Sequence, residues 1–336
     1  MYHEGPKIME KHSTYQAAVK IGPATVGIQS NSRELLPVLP EKIDVKSLLT
    51  DFHSVQGIPF SDSLDGYICI HDCEDVPAYT FCEDTFTLRG PLQEMAHTAS
   101  DPRYSLWGNQ GLLYRLTLLL LEKKHRIYSF HACALYQEEK DVLFIILGGA
   151  GSGKTVYLLS GISHGLKLFS TETVHLQITK NGPRWHMGSL VDNIRLGTLW
   201  YDFPEFKPDR PKPALDRIWQ EKMALDLSAY QAGSLVLQEV TSTNLLFPRI
   251  EDGRKGFVLN PIRNKHTATK QLCDNISEKI TQTFILYDRI AVTGFDRPEM
   301  AQRRLDDILV FTQNPGISRI ASVLSNPDEC WGDLLK

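Results

Sequence analysis

Long apolar runs and an excess of basic residues are both missing from this sequence. The most apolar helix-like stretch, Leu112 to Leu121, is too short to cross a bilayer and contains Arg115. The first residues lack the apolar segment of a secretory signal. The net charge at pH 7 is −4, so the chain as a whole gives no electrostatic argument for binding nucleic acid. We therefore expect a cytoplasmic protein that binds neither a membrane nor a nucleic acid. Assembly into a homo-oligomer remains an alternative to a monomer.

Cysteine is also scarce, with six residues in the whole chain. Because no secretory signal precedes them, we expect reduced thiols rather than a disulfide framework. Cys69, His71 and Cys73 share one face of a predicted strand. A flat strand holds such side chains too far apart to surround one zinc ion, so we predict buried side chains there rather than a metal site.

One motif stands out from this ordinary background. Residues 148–155 fit G-x-x-x-x-G-K-[ST], the pattern of a loop that cradles phosphates. The six apolar residues before it predict a buried strand, and the residues after it predict a short helix that ends near Gly165. Glycines let the backbone N–H groups wrap a triphosphate, and the helix N-terminus adds a positive dipole end. Lys154 is expected to reach the β- and γ-phosphates, and the Thr155 hydroxyl to bind Mg²⁺.

We therefore predict a nucleotide site with ATP or another nucleoside triphosphate and Mg²⁺ as cofactors. Its binding residues are Gly148, Gly149, Ala150, Gly151, Ser152, Gly153, Lys154 and Thr155.

An acidic partner for the metal is harder to choose. The chain has neither the N-K-x-D of a GTPase nor the L-S-G-G-Q of an ABC-type ATPase. Asp288 and Glu239 each follow an apolar run, as the metal-binding acid of many nucleotide hydrolases does. Glu172 is closer in sequence, at a predicted break between two strands that follow the loop helix. There a glutamate can hold Mg²⁺ or take a proton from a hydroxyl.

Four segments together carry a resemblance to a known family. These segments are residues 130–134, 147–155, 165–174 and 244–250. These segments are similar to the HPr kinase-like family, in particular its serine-kinase-like branch. In order, they are a strand with a histidine, the phosphate loop, a segment that fits G-x-x-L-x-x-x-[DE]-x-V and an F-P-R-I element. The likeness covers roughly residues 130 to 250. It implies the core of phosphoenolpyruvate carboxykinases and transfer of a phosphoryl group to a hydroxyl, usually that of serine.

The chain departs from that family at one important position. The family carries two neighbouring acids, the first being the expected general base, and here that first position is Thr171 while Glu172 is acidic. The loop by which HPr kinases handle HPr is not found, so HPr is not expected as the substrate. The resemblance places His131 at the γ-phosphate; the alternative is a histidine that packs beside the sheet. Arg195 and Arg249 are further candidates to face the transferred group.

The predicted fold is α/β: a P-loop core of the HPr kinase and phosphoenolpyruvate carboxykinase type with a mixed sheet, plus a smaller N-terminal α/β unit. We divide the chain into a tail (1–14), an N-terminal α/β domain (15–125) and a P-loop kinase-like domain (126–336). The first domain is predicted to end in an amphipathic helix from Gly111 to Lys124.

These residues support two functions. The first is an ATP-dependent kinase acting on a hydroxyl of a small molecule or peptide, with Glu172, His131 and Lys154 as catalytic residues and Thr155 and Glu172 at the metal. The alternative is a nucleotide-binding accessory or regulatory protein that has lost phosphotransfer, as the missing acid at Thr171 favours. Removing a positioned base typically slows a reaction about 10²–10⁴-fold. A kinase whose rate is reduced by this factor would still transfer phosphoryl groups slowly.

Overall fold

The structure, a computed structural model, describes residues 14–36, 49–209, 211–212, 214–251, 253–254 and 256–336. The predicted tail at 1–14 lies outside the described residues except for Thr14. The described chain is α/β with mixed sheets, as the sequence predicts.

The strands are numbered in chain order. They are β1 (Tyr15–Ile21), β2 (Ala24–Ser30), β3 (Val55–Ile58), β4 (Gly66–Asp72), β5 (Ala78–Cys82), β6 (Thr85–Gly90), β7 (Ile127–Gln137), β8 (Val142–Leu147), β9 (Lys167–Ser170), β10 (Thr173–Thr179), β11 (Gly182–His186), β12 (Val191–Arg195), β13 (Lys222–Asp226), β14 (Val236–Gln238), β15 (Ser242–Arg249), β16 (Val258–Pro261), β17 (Phe284–Leu286), β18 (Ile290–Val292) and β19 (Ile317–Leu324). The α-helices are α1 (Leu92–Thr98), α2 (Leu112–His125), α3 (Lys154–Ser163), α4 (Lys265–Thr281), α5 (Pro298–Thr312) and α6 (Pro327–Leu334).

The described chain forms two compact units. The first takes in the described residues up to Leu49, together with 54–120 and 282–294, and the second takes in 50–53, 121–281 and 295–336. In the first unit a six-stranded sheet has the order β3-β1-β2-β4-β6-β5, and β17 and β18 form a separate antiparallel pair.

Helix α2 corrects one prediction. Its residues from Leu112 to Glu122 are buried, so the helix is not amphipathic. The polar side chains of Arg115 and Glu122 are buried as well. In the described part of the chain no helix is long and apolar enough to span a membrane.

The second unit is built around a larger mixed sheet. Its strand order is β14-β11-β10-β7-β8-β15-β19-β16, and β9 also pairs with β7. Strand β8 is antiparallel to β7 and parallel to β15, which is parallel to β19. Since β8 is a central, buried strand, the loop that follows it lies at the middle of the sheet, at the carboxyl end of β8. Such a position is where open α/β sheets place their ligands.

Helix α3 is fixed tightly against this sheet. A Cβ on Gly161 would lie 2.2 Å from a methyl of Leu135, so only glycine allows so close an approach. Trp331 of α6 packs edge-on against Phe144 of β8 and donates its indole N–H to the Tyr157 carbonyl at 2.9 Å. Helix α3, which begins directly after the phosphate loop, is therefore held by the core.

The local elements around the motif agree with the sequence. Val142–Leu147 is a strand, and α3 ends two residues before Gly165, so both predictions are confirmed. Strands β9 and β10 are interrupted at Thr171 and Glu172, where the sequence predicted a break.

Candidate functional site

The glycine-rich loop joins β8 to α3 in a tight turn. Gly151 and Gly153 adopt φ values of +80° and +101°, in the left-handed region that favours glycine. A Cβ on Gly149 or Gly151 would meet no atom of the described chain within 4 Å. Beside these residues the loop has room for another group. In proteins generally, backbone N–H groups at a helix N-terminus attract anions, so the space beside this loop is a candidate anion site.

Lys154 is the first residue of α3, and its side chain folds back over the loop. Its Nζ donates hydrogen bonds to the carbonyls of Gly148 at 2.7 Å and Gly149 at 3.1 Å. The same nitrogen lies 3.2 Å from Nε2 of His131. These three acceptors match the three donors of an ammonium group. The predicted phosphate-binding lysine is therefore close to the predicted γ-phosphate histidine.

His131 reaches the loop from β7. Its ring is buried, and Nδ1 lies 2.9 Å from Oε2 of Glu278 on α4, while Nε2 lies 3.7 Å from Oε2 of Glu172. The hydrogen bond to His131 is the main reason why the pKa of Glu278 lies below its usual range. An ionised Glu278 fixes the imidazole with its Nδ1–H toward α4 and its Nε2 toward Lys154.

Strand pairing explains why His131 and Glu172 meet. His131 of β7 is paired with Thr173 of β10, and the N–H of Ala132 donates to the Glu172 carbonyl at 3.2 Å. The break between β9 and β10 therefore turns Glu172 toward the end of the sheet that bears the loop. Proximity of Glu172, His131 and Lys154 is what the sequence predicted; their catalytic roles stay predictions.

A second carboxyl group lies beside Thr155. The Thr155 hydroxyl donates to Oδ2 of Asp192 at 3.1 Å, and only 3% of the Asp192 residue is exposed. Burial raises the pKa of Asp192 to about 8, and the neighbouring charge of Glu172 and a hydrogen bond to it add to this effect. The Thr155 hydroxyl and the Lys154 charge oppose the shift. At neutral pH this carboxyl group is mostly protonated.

Sequence reasoning missed Asp192 and Glu278. Asp192 and Ile194 are the two buried residues of β12 and lie on the same face of the strand. An acidic residue at a position where the strand pattern calls for an apolar one was therefore a usable signal. Glu278 lies 147 residues after His131, and its helical position resembles that of any surface glutamate. No local pattern identifies such a partner.

Thr171 is used for structure rather than for chemistry at this site. It is 2% exposed, its hydroxyl donates to the Val191 carbonyl at 2.8 Å, and its N–H donates to the Ser189 carbonyl at 2.9 Å. The position where the resembling family has its first acid therefore binds the backbone that leads into β12.

The remaining candidates are placed differently. Glu239 comes directly after β14, which is separated from β8 by three strands, so its proposal as the metal-binding acid is wrong. Asp288 belongs to the first unit and accepts a hydrogen bond from the Ser100 N–H at 2.6 Å. Arg195 donates to the Trp219 carbonyl. The Arg249 side chain is 75% exposed but precedes Ile250, which lies against Gly153.

The oxygen donors beside the loop suit Mg²⁺. In the described residues no group of three histidine, cysteine or acidic side chains is arranged to hold a metal ion by itself. Mg²⁺ at a nucleotide needs fewer protein ligands, because phosphate and water oxygens complete its octahedron. The Thr155 hydroxyl and the Glu172 carboxylate can supply oxygen ligands of this type.

Comparisons with known proteins add no relative. No family model matches the chain, and no characterised protein matches it significantly.

Proposed function

We propose that this protein is an ATP-dependent phosphotransferase with a P-loop core of the HPr kinase and phosphoenolpyruvate carboxykinase type. It transfers the γ-phosphoryl group to a hydroxyl of a small molecule or a peptide. One observation above all supports this: Lys154, His131 and Glu172 converge at a glycine loop that opens from the central strand β8.

The loop accounts for nucleotide binding. The backbone N–H groups of residues 149–154 and the N-terminus of α3 attract the phosphates. Lys154 exchanges the carbonyls of Gly148 and Gly149 for phosphate oxygens, which are charged and therefore better acceptors. Bound Mg²⁺ would neutralise charge as the phosphoryl group is transferred, with Thr155 and Glu172 as its ligands.

The acceptor side is formed by Glu172 and His131. Glu172 orients the acceptor hydroxyl, as a carboxylate does in other phosphotransferases. When Lys154 moves to the phosphates, Nε2 of His131 loses its partner and faces the transferred group. Glu278 keeps the ring from turning, because its carboxylate holds Nδ1.

A second function has specific support. Thr171 is buried and hydrogen-bonded to Val191, so the base position of the resembling family contributes no acid here. A nucleotide-binding accessory protein that has lost phosphotransfer would show this change.

The deciding experiment combines binding and turnover. We expect calorimetric titration with Mg-ATP to give binding that Lys154→Ala abolishes, since the variant loses the ammonium that neutralises the phosphates. Lys180→Ala, at an exposed lysine of the same unit, is the matched control. ATP consumption is then measured with a panel of hydroxyl acceptors, including serine and serine-ended peptides.

Each result is informative. Binding with acceptor-dependent ATP consumption supports the kinase, and binding without consumption supports the accessory protein. Equal affinity of wild type and Lys154→Ala, or no binding at all, would contradict both functions.

A further inference from the structure

Asp192 is a buried acid that forms no ion pair with a cation of the described residues, although the Lys154 charge acts on it from beyond ion-pair distance. It accepts a hydrogen bond from the Thr155 hydroxyl at 3.1 Å, and neither a lysine nor an arginine of the described chain forms an ion pair with it. Burying a carboxylate without compensation is costly, so natural proteins rarely keep one without a function.

Other buried acids in the same unit are treated differently. Glu122 is paired with Arg304 at 2.8 Å, and Asp307 is paired with Arg126. Each of these acids has a resident guanidinium group. Asp192 faces instead a threonine hydroxyl and a second carboxylate, that of Glu172. Two acidic groups and a hydroxyl around one point favour a divalent cation, which would displace the proton that Asp192 holds without it.

The backbone explains how Asp192 comes to lie there. Ser189 closes a turn, its hydroxyl donating to the Val191 carbonyl at 2.7 Å and accepting from the Val191 N–H at 3.0 Å. The Thr171 hydroxyl donates to the same carbonyl. Thr171 thus fixes the residue immediately before Asp192, so the position that lacks an acid supports the strand that supplies one.

We propose that Asp192 is a ligand of the divalent cation that accompanies the bound triphosphate, together with Thr155. This role rests on the proposed function, because the cation arrives with the nucleotide. Asp192 adds a carboxyl group to the site from β12, whereas Thr171 adds none. Nucleotide hydrolases of the P-loop class hold Mg²⁺ with a loop serine or threonine and an aspartate from another strand. The hydrogen bond to Thr155 places Asp192 on the metal side of the triphosphate rather than on the acceptor side.

The test is metal binding, which does not require turnover. Mn²⁺ replaces Mg²⁺, and its affinity for the protein–ATP complex is measured by electron paramagnetic resonance. Asp192→Asn should weaken Mn²⁺ about tenfold or more, as loss of a supporting group at a metal site does. The amide oxygen still accepts from Thr155, so the affinity for ATP without metal should stay the same. Asp216→Asn removes an exposed aspartate of the same unit and is the matched control.

A second measurement needs no substitution. In wild type labelled with ¹³C at aspartate carboxyl carbons, electron–nuclear double resonance should detect a carboxyl carbon coupled to Mn²⁺ in the ATP complex. Unchanged Mn²⁺ affinity in Asp192→Asn, or no carbon coupling in the wild type, would overturn this assignment while the proposed function stands. A wild type that binds no ATP would overturn both.

Discussion

Asp192→Asn should stabilise the protein without nucleotide, and increasingly so as the pH rises. The pKa of the buried carboxyl is raised from 3.8 to about 8, mainly by burial. Between these values the folded chain holds a proton that the unfolded chain has released. The free energy of unfolding of the wild type therefore falls with rising pH over this window. Asparagine does not titrate and removes this dependence.

The size of the effect can be worked out from the proton equilibrium. Each pH unit inside the window costs the wild type about 1.4 kcal/mol relative to the variant. The difference in unfolding free energy should therefore grow by about 3 kcal/mol from pH 5 to pH 7. Well below pH 3.8 the Asp192 carboxyl group is protonated in both the folded and the unfolded chain, so the difference between the two proteins should no longer change with pH. The amide can accept from Thr155 and donate to Glu172, so it leaves no polar atom unpaired.

The assay is urea denaturation of both proteins at pH 5, 6 and 7 without nucleotide. Titrating groups that do not contact Asp192 contribute equally to both proteins and cancel in the difference. Asp216→Asn should run parallel to the wild type. With saturating Mg-ATP the difference should become smaller, because the ligand stabilises the wild type more than the variant. A constant difference over the pH range, or a variant that is less stable throughout, would refute the reasoning.

Three further predictions test the fold around the site. Thr171→Asp restores the acid of the resembling family but places a buried carboxylate against the Val191 carbonyl, so it should lower the unfolding free energy measured in urea by about 2 kcal/mol or more. It should not raise ATP consumption, and higher turnover at full stability would contradict this. Arg304→Met should cost about 3–5 kcal/mol by the same assay, because it leaves the buried Glu122 without its partner, and adding Glu122→Gln should recover part of that loss. Burial lowers the pKa of His175 to about 3, so the folded protein loses stability as the pH falls below 6.5, where the unfolded chain takes up a proton. His175→Gln should therefore make the urea denaturation midpoint depend less on pH between pH 6.5 and 4, and an unchanged pH dependence would argue against a neutral His175.

The parts of the fold that were predictable are those fixed by neighbours in sequence. Val142–Leu147, the glycines after it and the start of α3 form one local unit, whose apolar period and turn chemistry are visible in the residues themselves. The interruption at Thr171 and Glu172 was predictable for the same reason.

The rest of the site depends on packing between distant segments. Asp192 reaches Thr155 only because β12, which pairs with the distant strand β13, lies beside the start of α3. Glu278 meets His131 only because α4 packs on β7. The prediction of an amphipathic α2 was wrong because burial around a helix depends on the elements that cover it, which the helix period does not specify.

The position of the Lys154 ammonium has a consequence for ligand choice. Two carbonyls and an imidazole already accept its hydrogen bonds, so an incoming anion competes with three acceptors inside the protein. Sulfate or inorganic phosphate offers one small group and must displace all three. Under the proposed function, a triphosphate would also gain the backbone N–H groups along the loop, and these additional contacts would offset the displacement. The loop would thus discriminate by the number of linked phosphate groups before any base or sugar is recognised.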